Sequence, residues 1–317
     1  MFRHFTSLDD LSAQEFTDLL AVAVYLKRRR AMGVREHALA GRTLAMIFEK
    51  PSLRTRLSFE VGMTELGGVA TYIRGEDVGM NTREPVKDVA RVVSRYVQGI
   101  MIRTFAHATV TELAAHATVP VINGLSDSCH PCQALADLLT IHEHLGTTKG
   151  LKIVFVGDGN NVARSLARAC VLAGARFVLA APAAYAFTPA DIASFGAAWG
   201  DAITHVTEVA TAAKGADVLY TDVWTSMGQE AERARRLLDF KGYQIDERLI
   251  AAASPRVKVM HCLPAHRGEE ITDGAVESAA SIILDQAENR LHAQKAILRL
   301  LMADDAAKVI EAARAGG

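Results

Sequence analysis

The sequence predicts an α/β protein made of two doubly wound parallel-sheet domains, with the active site in the cleft between them. Three observations carry this prediction. The chain has 317 residues, which is about twice an ordinary domain. Short apolar runs alternate with longer helical patterns almost throughout, as in parallel sheets covered by helices on both faces. The polar, chemistry-bearing segments come just after the apolar runs, and ligands in such sheets gather at the carboxyl ends of strands.

In the first half, Thr43 to Phe48, Gly99 to Arg103 and Val119 to Ile122 read as buried strands. Leu57 to Leu66, Val86 to Tyr96 and Val110 to Ala117 read as helices between them. The second half repeats the rhythm, with strands expected at Leu151 to Val156, Arg176 to Ala180, Asp217 to Tyr220, Val257 to Met260 and Ser281 to Leu284. The clearest boundary is His144 to Gly150, where a long amphipathic helix beginning near Cys132 stops at glycine. The expected domains are therefore residues 1–147 and 148–289, with a terminal helix from about 290 to 317 packing back on the first.

Composition narrows the function. Half the residues are hydrophobic and 22% are charged, with 35 basic against 36 acidic side chains. That balance argues against a dedicated nucleic-acid or membrane-surface protein, whose affinity would come from a basic field. No stretch reaches the roughly 20 apolar residues of a membrane span. Met1-Phe2-Arg3-His4-Phe5 lacks an apolar signal core, and four cysteines are too few for a disulfide framework. A reducing cytoplasm is the expected compartment.

The first motif is Phe48 to Arg56, after a strand and before a helix. It places Ser52, Arg54 and Thr55 at a helix N-terminus, where N–H groups, hydroxyls and a guanidinium can meet a phosphate dianion. An ordinary serine cap with solvated arginines is the competing reading. The second is Asn123 to Gln133, in which His130 and Gln133 lie one turn apart and can face one ligand. Cys129 and Cys132 also form a C-x-x-C pair, so a redox dithiol or a zinc site stays open here. Arg103 ends a buried strand near the same edge and calls for an anionic partner.

The second half opens with Val156-Gly157-Asp158-Gly159-Asn160-Asn161-Val162. It invites a dinucleotide reading, but Val162 stands where a third glycine belongs and the next strand ends in Ala180-Ala181-Pro182 with no carboxylate for a ribose. The two asparagine amides suit a small polar ligand instead. Asp222 ends a further strand, and a short loop brings Ser226 and Met227 back near it. A carboxylate there could hold an ammonium, or simply cap a turn. Cys262 follows the last strand within His261-Cys262-Leu263-Pro264, among polar residues rather than in a core.

These segments, in this order and over nearly the whole chain, resemble the aspartate/ornithine carbamoyltransferase family. Ser52-Leu53-Arg54-Thr55 resembles its carbamoyl-phosphate signature, and His130-Pro131-Cys132-Gln133 its second phosphate-side motif. Asp222 with Ser226-Met227-Gly228, and His261-Cys262-Leu263-Pro264, resemble the ornithine-directed branch. The resemblance implies that Ser52, the Leu53 backbone, Arg54, Thr55 and Arg103 hold the phosphate. His130, Pro131, Cys132, Gln133, the Cys262-Leu263 backbone and Arg290 would hold the carbamoyl end. Asn161, Asp222, Ser226 and Met227 would hold L-ornithine, with Asp222 and Cys262 near the attacking amine.

The implied reaction is direct carbamoyl transfer from carbamoyl phosphate, giving citrulline and phosphate, with no metal or organic cofactor. Its catalytic groups would be Arg54, Arg103, His130, Asp222 and Cys262. An alkylamine has a pKa near ~10.4, so the site must favour its neutral form, and domain closure that excludes water would help. The resemblance also implies a homotrimer or a multiple of it. Putrescine or an acylated ornithine is the alternative acceptor, and an NAD-dependent dehydrogenase or a non-catalytic sensor the more distant readings. Two departures stand out. Leu53 replaces the family's usual threonine, and Gly75 to Arg83 lacks the glutamine usually supplied by that loop.

Overall fold

The apolar runs pair into two all-parallel sheets in a computed structural model that describes residues 3–316. The first sheet has the order β2-β1-β3-β4, with β1 Thr43–Phe48, β2 Val69–Arg74, β3 Gly99–Arg103 and β4 Val121–Leu125. The second has the order β7-β6-β5-β8-β9, with β5 Lys152–Val156, β6 Arg176–Ala180, β7 Ile203–Val206, β8 Val218–Thr221 and β9 Lys258–His261. Each sheet belongs to its own unit. The first unit is Met1–Leu139 with Glu288–Gly317, and the second is Thr140–Ala287.

Each unit has its own core. In the first, Ile47, Ile100, Ile102, Val110, Leu113 and Val121 are fully buried on one face of the sheet. In the second, Val154, Val156, Leu219, Val259 and Ile271 do the same. Removing one such side chain from water contributes about 1.5–3 kcal/mol, so these central strands are fixed by burial on both faces.

Strand order decides where a ligand can sit. In the first sheet the winding reverses between β1 and β3; in the second it reverses between β5 and β8. Helices diverge to opposite faces at such a point, leaving a crevice beyond the strand ends.

The segment Ser281 to Leu284 is not a strand. Ser281 makes a single bridge to Val259, and the Ile283–Met302 helix begins two residues later. Periodicity cannot separate a buried strand from a buried helix over so short an apolar run. Two further strands, β2 and β7, lie at sheet edges, and the helix from Val86 ends at Val93 rather than Tyr96. Among the described residues no helix is long and apolar enough to cross a membrane.

Candidate active site

At the first sheet's reversal point, β1 runs out into Glu49-Lys50-Pro51 and the Leu53–Glu65 helix starts immediately after. Ser52 is its N-cap, in extended conformation, and its Oγ accepts from Thr55 N–H at 3.3 Å. The same hydroxyl donates to Thr55 Oγ1 at 3.1 Å. This turn leaves early helix N–H groups facing outward beyond the strand ends. The Leu53 side chain is 70% exposed, so its substitution for threonine leaves the backbone N–H of the turn in place.

Arg103 is the last residue of β3 and is buried. The β3–β4 register shifts there, so that Arg103 pairs with Leu125 while Ile102 pairs with Asn123. Gly124 occupies the bulge, where a Cβ would meet Met101 Sδ at 2.7 Å and the Ile102 carbonyl at 3.2 Å. A side chain at this position would force the Met101 side chain to move and crowd the Ile102 carbonyl, which favours glycine in the bulge.

His130 precedes the Pro131–Leu145 helix and is buried, as are Pro131, Cys132 and Gln133. Burial drives the His130 imidazole well below its usual pKa, and the charges of Arg290, Arg103 and Arg54 push the same way. The ring is therefore neutral, and the three guanidiniums that act on it mark a single positive locus. Arg290, on the Ile283–Met302 helix, donates through Nη1 to Gln133 Oε1 at 2.6 Å and through Nη2 to Thr55 Oγ1 at 3.2 Å. Gln133 Nε2 in turn donates to Asp137 at 2.8 Å. The first unit thus brings Ser52, Arg54, Thr55, Arg103, His130, Gln133 and Arg290 together at one strand-end crevice.

Cys132 is not a redox thiol. Burial pushes its pKa up to about 12, and its Sγ donates to the Asn123 carbonyl at 3.3 Å. A thiol held in the neutral form is a poor nucleophile and a poor metal ligand.

In the second unit, the β5 and β8 ends carry the Gly157–Asn161 turn and Asp222. Asp222 is 8% exposed, and each of its oxygens is engaged. Oδ1 accepts from Val223 N–H at 2.8 Å and from Cys262 Sγ at 3.0 Å; Oδ2 accepts from Asn160 Nδ2 at 2.9 Å. Cys262 follows β9, so three strand ends converge on one carboxylate. Asn161 opens the Asn161–Leu172 helix and is half-buried, as is Ser226, whereas Met227 is 50% exposed.

The turn after β9 is held from beneath. His261 Nδ1 accepts from Leu263 N–H at 2.8 Å, so its proton sits on Nε2, which faces Glu270 Oε1 at 3.0 Å. That contact fixes Leu263 in the left-handed region at φ 59°. Gln286 adds a second brace, accepting from His261 N–H at 2.9 Å and donating to Tyr220 Oη at 3.0 Å.

Asp222, His261 and Cys262 have donor atoms within 4.8 Å of one another, as do His266, Glu269 and Glu270. Both imidazole nitrogens of His261 are committed to Leu263 and Glu270, which leaves the first set a poor metal cage.

Sequence reasoning missed several supports of this site. Arg236 is buried, donates to Asp158 at 2.7 Å and to the Trp224 carbonyl at 3.0 Å, and so ties the turn after β5 to the loop after β8. Burial raises the Asp158 pKa, with Arg236 opposing that rise. Arg236 lies in an ordinary charged helix with no signal in its spacing. A cavity of about 520 Å³ opens elsewhere, lined by Ser254, Arg256, Lys258 and Ala280, and touches none of the expected site residues.

The carbamoyl-P binding domain of aspartate/ornithine carbamoyltransferase matches residues 3–143, and the Asp/Orn binding domain matches residues 149–301. An ornithine carbamoyltransferase of Methanoculleus marisnigri is 51% identical over 310 residues, covering 98% of this chain and 100% of that one. An anabolic ornithine carbamoyltransferase of Pyrococcus furiosus is 50% identical over 303 residues, covering 95% and 96%. The solved structure of ornithine carbamoyltransferase from Pyrococcus furiosus superposes with a TM-score of 0.91, covering 95% of this chain and 97% of that one at 50% identity. With both of the family's domains matched along its length, the chain belongs to the aspartate/ornithine carbamoyltransferase family.

Proposed function

We propose that this protein transfers the carbamoyl group of carbamoyl phosphate to the side-chain amine of L-ornithine, giving L-citrulline and phosphate. The observation that carries the choice of acceptor is Asp222. A buried carboxylate at the second sheet's reversal point has the right sign for an amine and the wrong sign for an aspartate acceptor. Relatives about half identical over the full length, each an ornithine carbamoyltransferase, support the same reading.

The residue roles follow from charge and placement. Ser52, Leu53 N–H, Arg54, Thr55 and Arg103 hold the phosphate, because N–H groups at a helix start and fixed guanidiniums are its natural partners. His130, neutral at working pH, donates to the carbamoyl oxygen as that oxygen gains charge, and Arg290 adds a fixed cation beside it. Pro131, Cys132 and Gln133 shape the wall around it, with the Cys262-Leu263 backbone at the carbamoyl end. Asn161, Ser226 and Met227 take the amino-acid head, while Asp222 and Cys262 face the amine. The neutral amine attacks the carbamoyl carbon, the C–O bond to phosphate breaks, and the proton lost from the amine nitrogen passes to the departing phosphate, which leaves as the hydrogen-phosphate dianion held by the arginines.

We assign residues 1–147 to carbamoyl phosphate, together with the segment from about 290 to 317, which is not one helix but the end of the Ile283–Met302 helix and the Ala306–Ala315 helix, and we assign 148–289 to ornithine. A biosynthetic direction in the cytoplasm is proposed on the anabolic relative and the reduced-cysteine composition. A homotrimer is proposed as well. Leu53, Leu57 and Val61 recur every fourth residue along one helix and are 70%, 49% and 38% exposed, a ridge suited to a second copy of the chain.

A citrulline assay with carbamoyl phosphate and a panel of L-ornithine, putrescine, acetylornithine and aspartate tests the function. L-ornithine is expected to give the highest kcat/KM by at least about 100-fold, the discrimination a site built on buried polar contacts can supply. Faster turnover of any other acceptor would overturn the assignment.

A further inference from the structure

We infer that Asn160 is a positioning residue for the transfer reaction: its side-chain amide ties the first turn of the Asn161–Leu172 helix to Asp222 and sets the orientation of that carboxylate. The inference rests on the reading above that Asp222 faces the ornithine amine.

The two adjacent asparagines look equivalent in the sequence, but the fold separates them. Asn160 Oδ1 accepts from both Val162 N–H at 2.9 Å and Ala163 N–H at 3.0 Å, which uses both lone pairs of that oxygen. Asn160 Nδ2 donates to Asp222 Oδ2 at 2.9 Å. Flipping the amide would set NH₂ against two N–H groups and oxygen against a carboxylate, so the network allows one orientation only. Asp222 Oδ1 is pinned by Val223 N–H and Cys262 Sγ. The carboxylate plane is therefore fixed from both ends, with Asn160 holding Oδ2.

The amide also carries polarity. Its oxygen sits at the positive end of a helix of 12 residues, and an amide that accepts two hydrogen bonds becomes a stronger donor through its nitrogen. Asn160 thus passes part of the helix's end charge to Asp222.

Capping and positioning are separable by substitution, because serine and aspartate cap helices as well as asparagine does. Asn160→Ser keeps the cap and loses the donor. Asn160→Asp keeps the cap and sets a second carboxylate against Asp222. Steady-state kinetics for both substrates, with thermal melts, decide the matter. The expected result is kcat/KM for ornithine down about 10-fold in Asn160→Ser and at least about 100-fold in Asn160→Asp. The loss should lie mainly in the ornithine KM, with the carbamoyl-phosphate KM within about twofold and the melting temperature nearly unchanged. Ornithine kinetics like the wild type in both variants would reduce Asn160 to a cap, and equal losses for both substrates would make it a general structural residue; either overturns the inference. If Asn160→Asp does not fold, Asn160→Ser alone decides. Asp222→Asn separates the two layers. If it leaves ornithine kinetics intact, the reading of Asp222 falls and the inference with it. If it impairs them while the Asn160 variants do not, only the positioning role falls.

Discussion

Arg290 Nη1 donates to Gln133 Oε1 at 2.6 Å although 157 residues of chain separate them. The second arm of the same guanidinium reaches Thr55 Oγ1. One planar fork therefore aligns a residue of the Leu53–Glu65 helix start with a residue of the Pro131–Leu145 helix start, and lysine cannot reproduce a fork.

Arg290→Lys is accordingly expected to lower kcat/KM for carbamoyl phosphate by about 10- to 100-fold, the equivalent of one charged hydrogen bond. Initial-rate kinetics over both substrates check this. Wild-type efficiency would show that charge alone, and not the fork, matters at this position.

Leu53→Thr restores the family's usual residue at a position whose side chain points to solvent. Since only the backbone N–H of this position is assigned to the phosphate, the carbamoyl-phosphate KM should move by no more than about threefold. A large gain in phosphate affinity would mean that a hydroxyl at this position reaches the ligand.

His130 makes stability depend on pH. The folded protein holds the ring neutral well below its usual pKa, whereas the unfolded chain protonates it near pH 6.5. Below that pH the unfolded state binds the extra proton, so stability is fully present above about 6.5 and falls as the solution is acidified toward the folded-state pKa. The slope from one such group is at most about 1.4 kcal/mol per pH unit. Urea unfolding at pH 5, 6 and 7 should show a steeper loss for the wild type than for His130→Asn. Parallel losses would mean that the buried ring is already charged.

Cys262 Sγ donates to Asp222 Oδ1 at 3.0 Å, and we propose that it acts through this hydrogen bond and not as a nucleophile. Cys262→Ala should therefore lower the rate of citrulline formation by about 10-fold, while Cys262→Ser, which keeps a donor, should recover most of it. A serine variant as poor as the alanine one would argue that sulfur itself is required.

The central strands were legible because burial on both faces leaves near-continuous apolar runs, as in Thr43–Phe48 and Gly99–Arg103. Of the four edge strands, the buried β4 and β9 were legible too, but β2 and β7 were not. β2 and β7 are partly exposed, and an edge strand carries polar residues that blur the pattern. Ser281 to Leu284 misled for the opposite reason, since an apolar helix start looks like a strand over four residues. In the first unit the strand-end placement of Ser52, Arg103 and His130, and in the second that of Asp222 and Cys262, followed from the alternation of runs and turns. The division of labour between Asn160 and Asn161 did not, because it depends on which amide oxygen meets the helix N–H groups. Arg236 was invisible for a related reason: its partners, Asp158 and Trp224, are distant in sequence and become neighbours only once the sheet is wound.

The strand-end arrangement has a consequence for how such an enzyme diversifies. Trp224 packs on Phe240 and belongs to the core, but the stretch from Thr225 to Gln229 carries no helix or strand and is half-buried to exposed. On the roles proposed for Ser226 and Met227, heritable change in that stretch would alter which amine is accepted while the scaffold beneath goes on folding as before. New acceptors can thus be recruited by rewriting a handful of codons, leaving the donor half of the catalyst untouched.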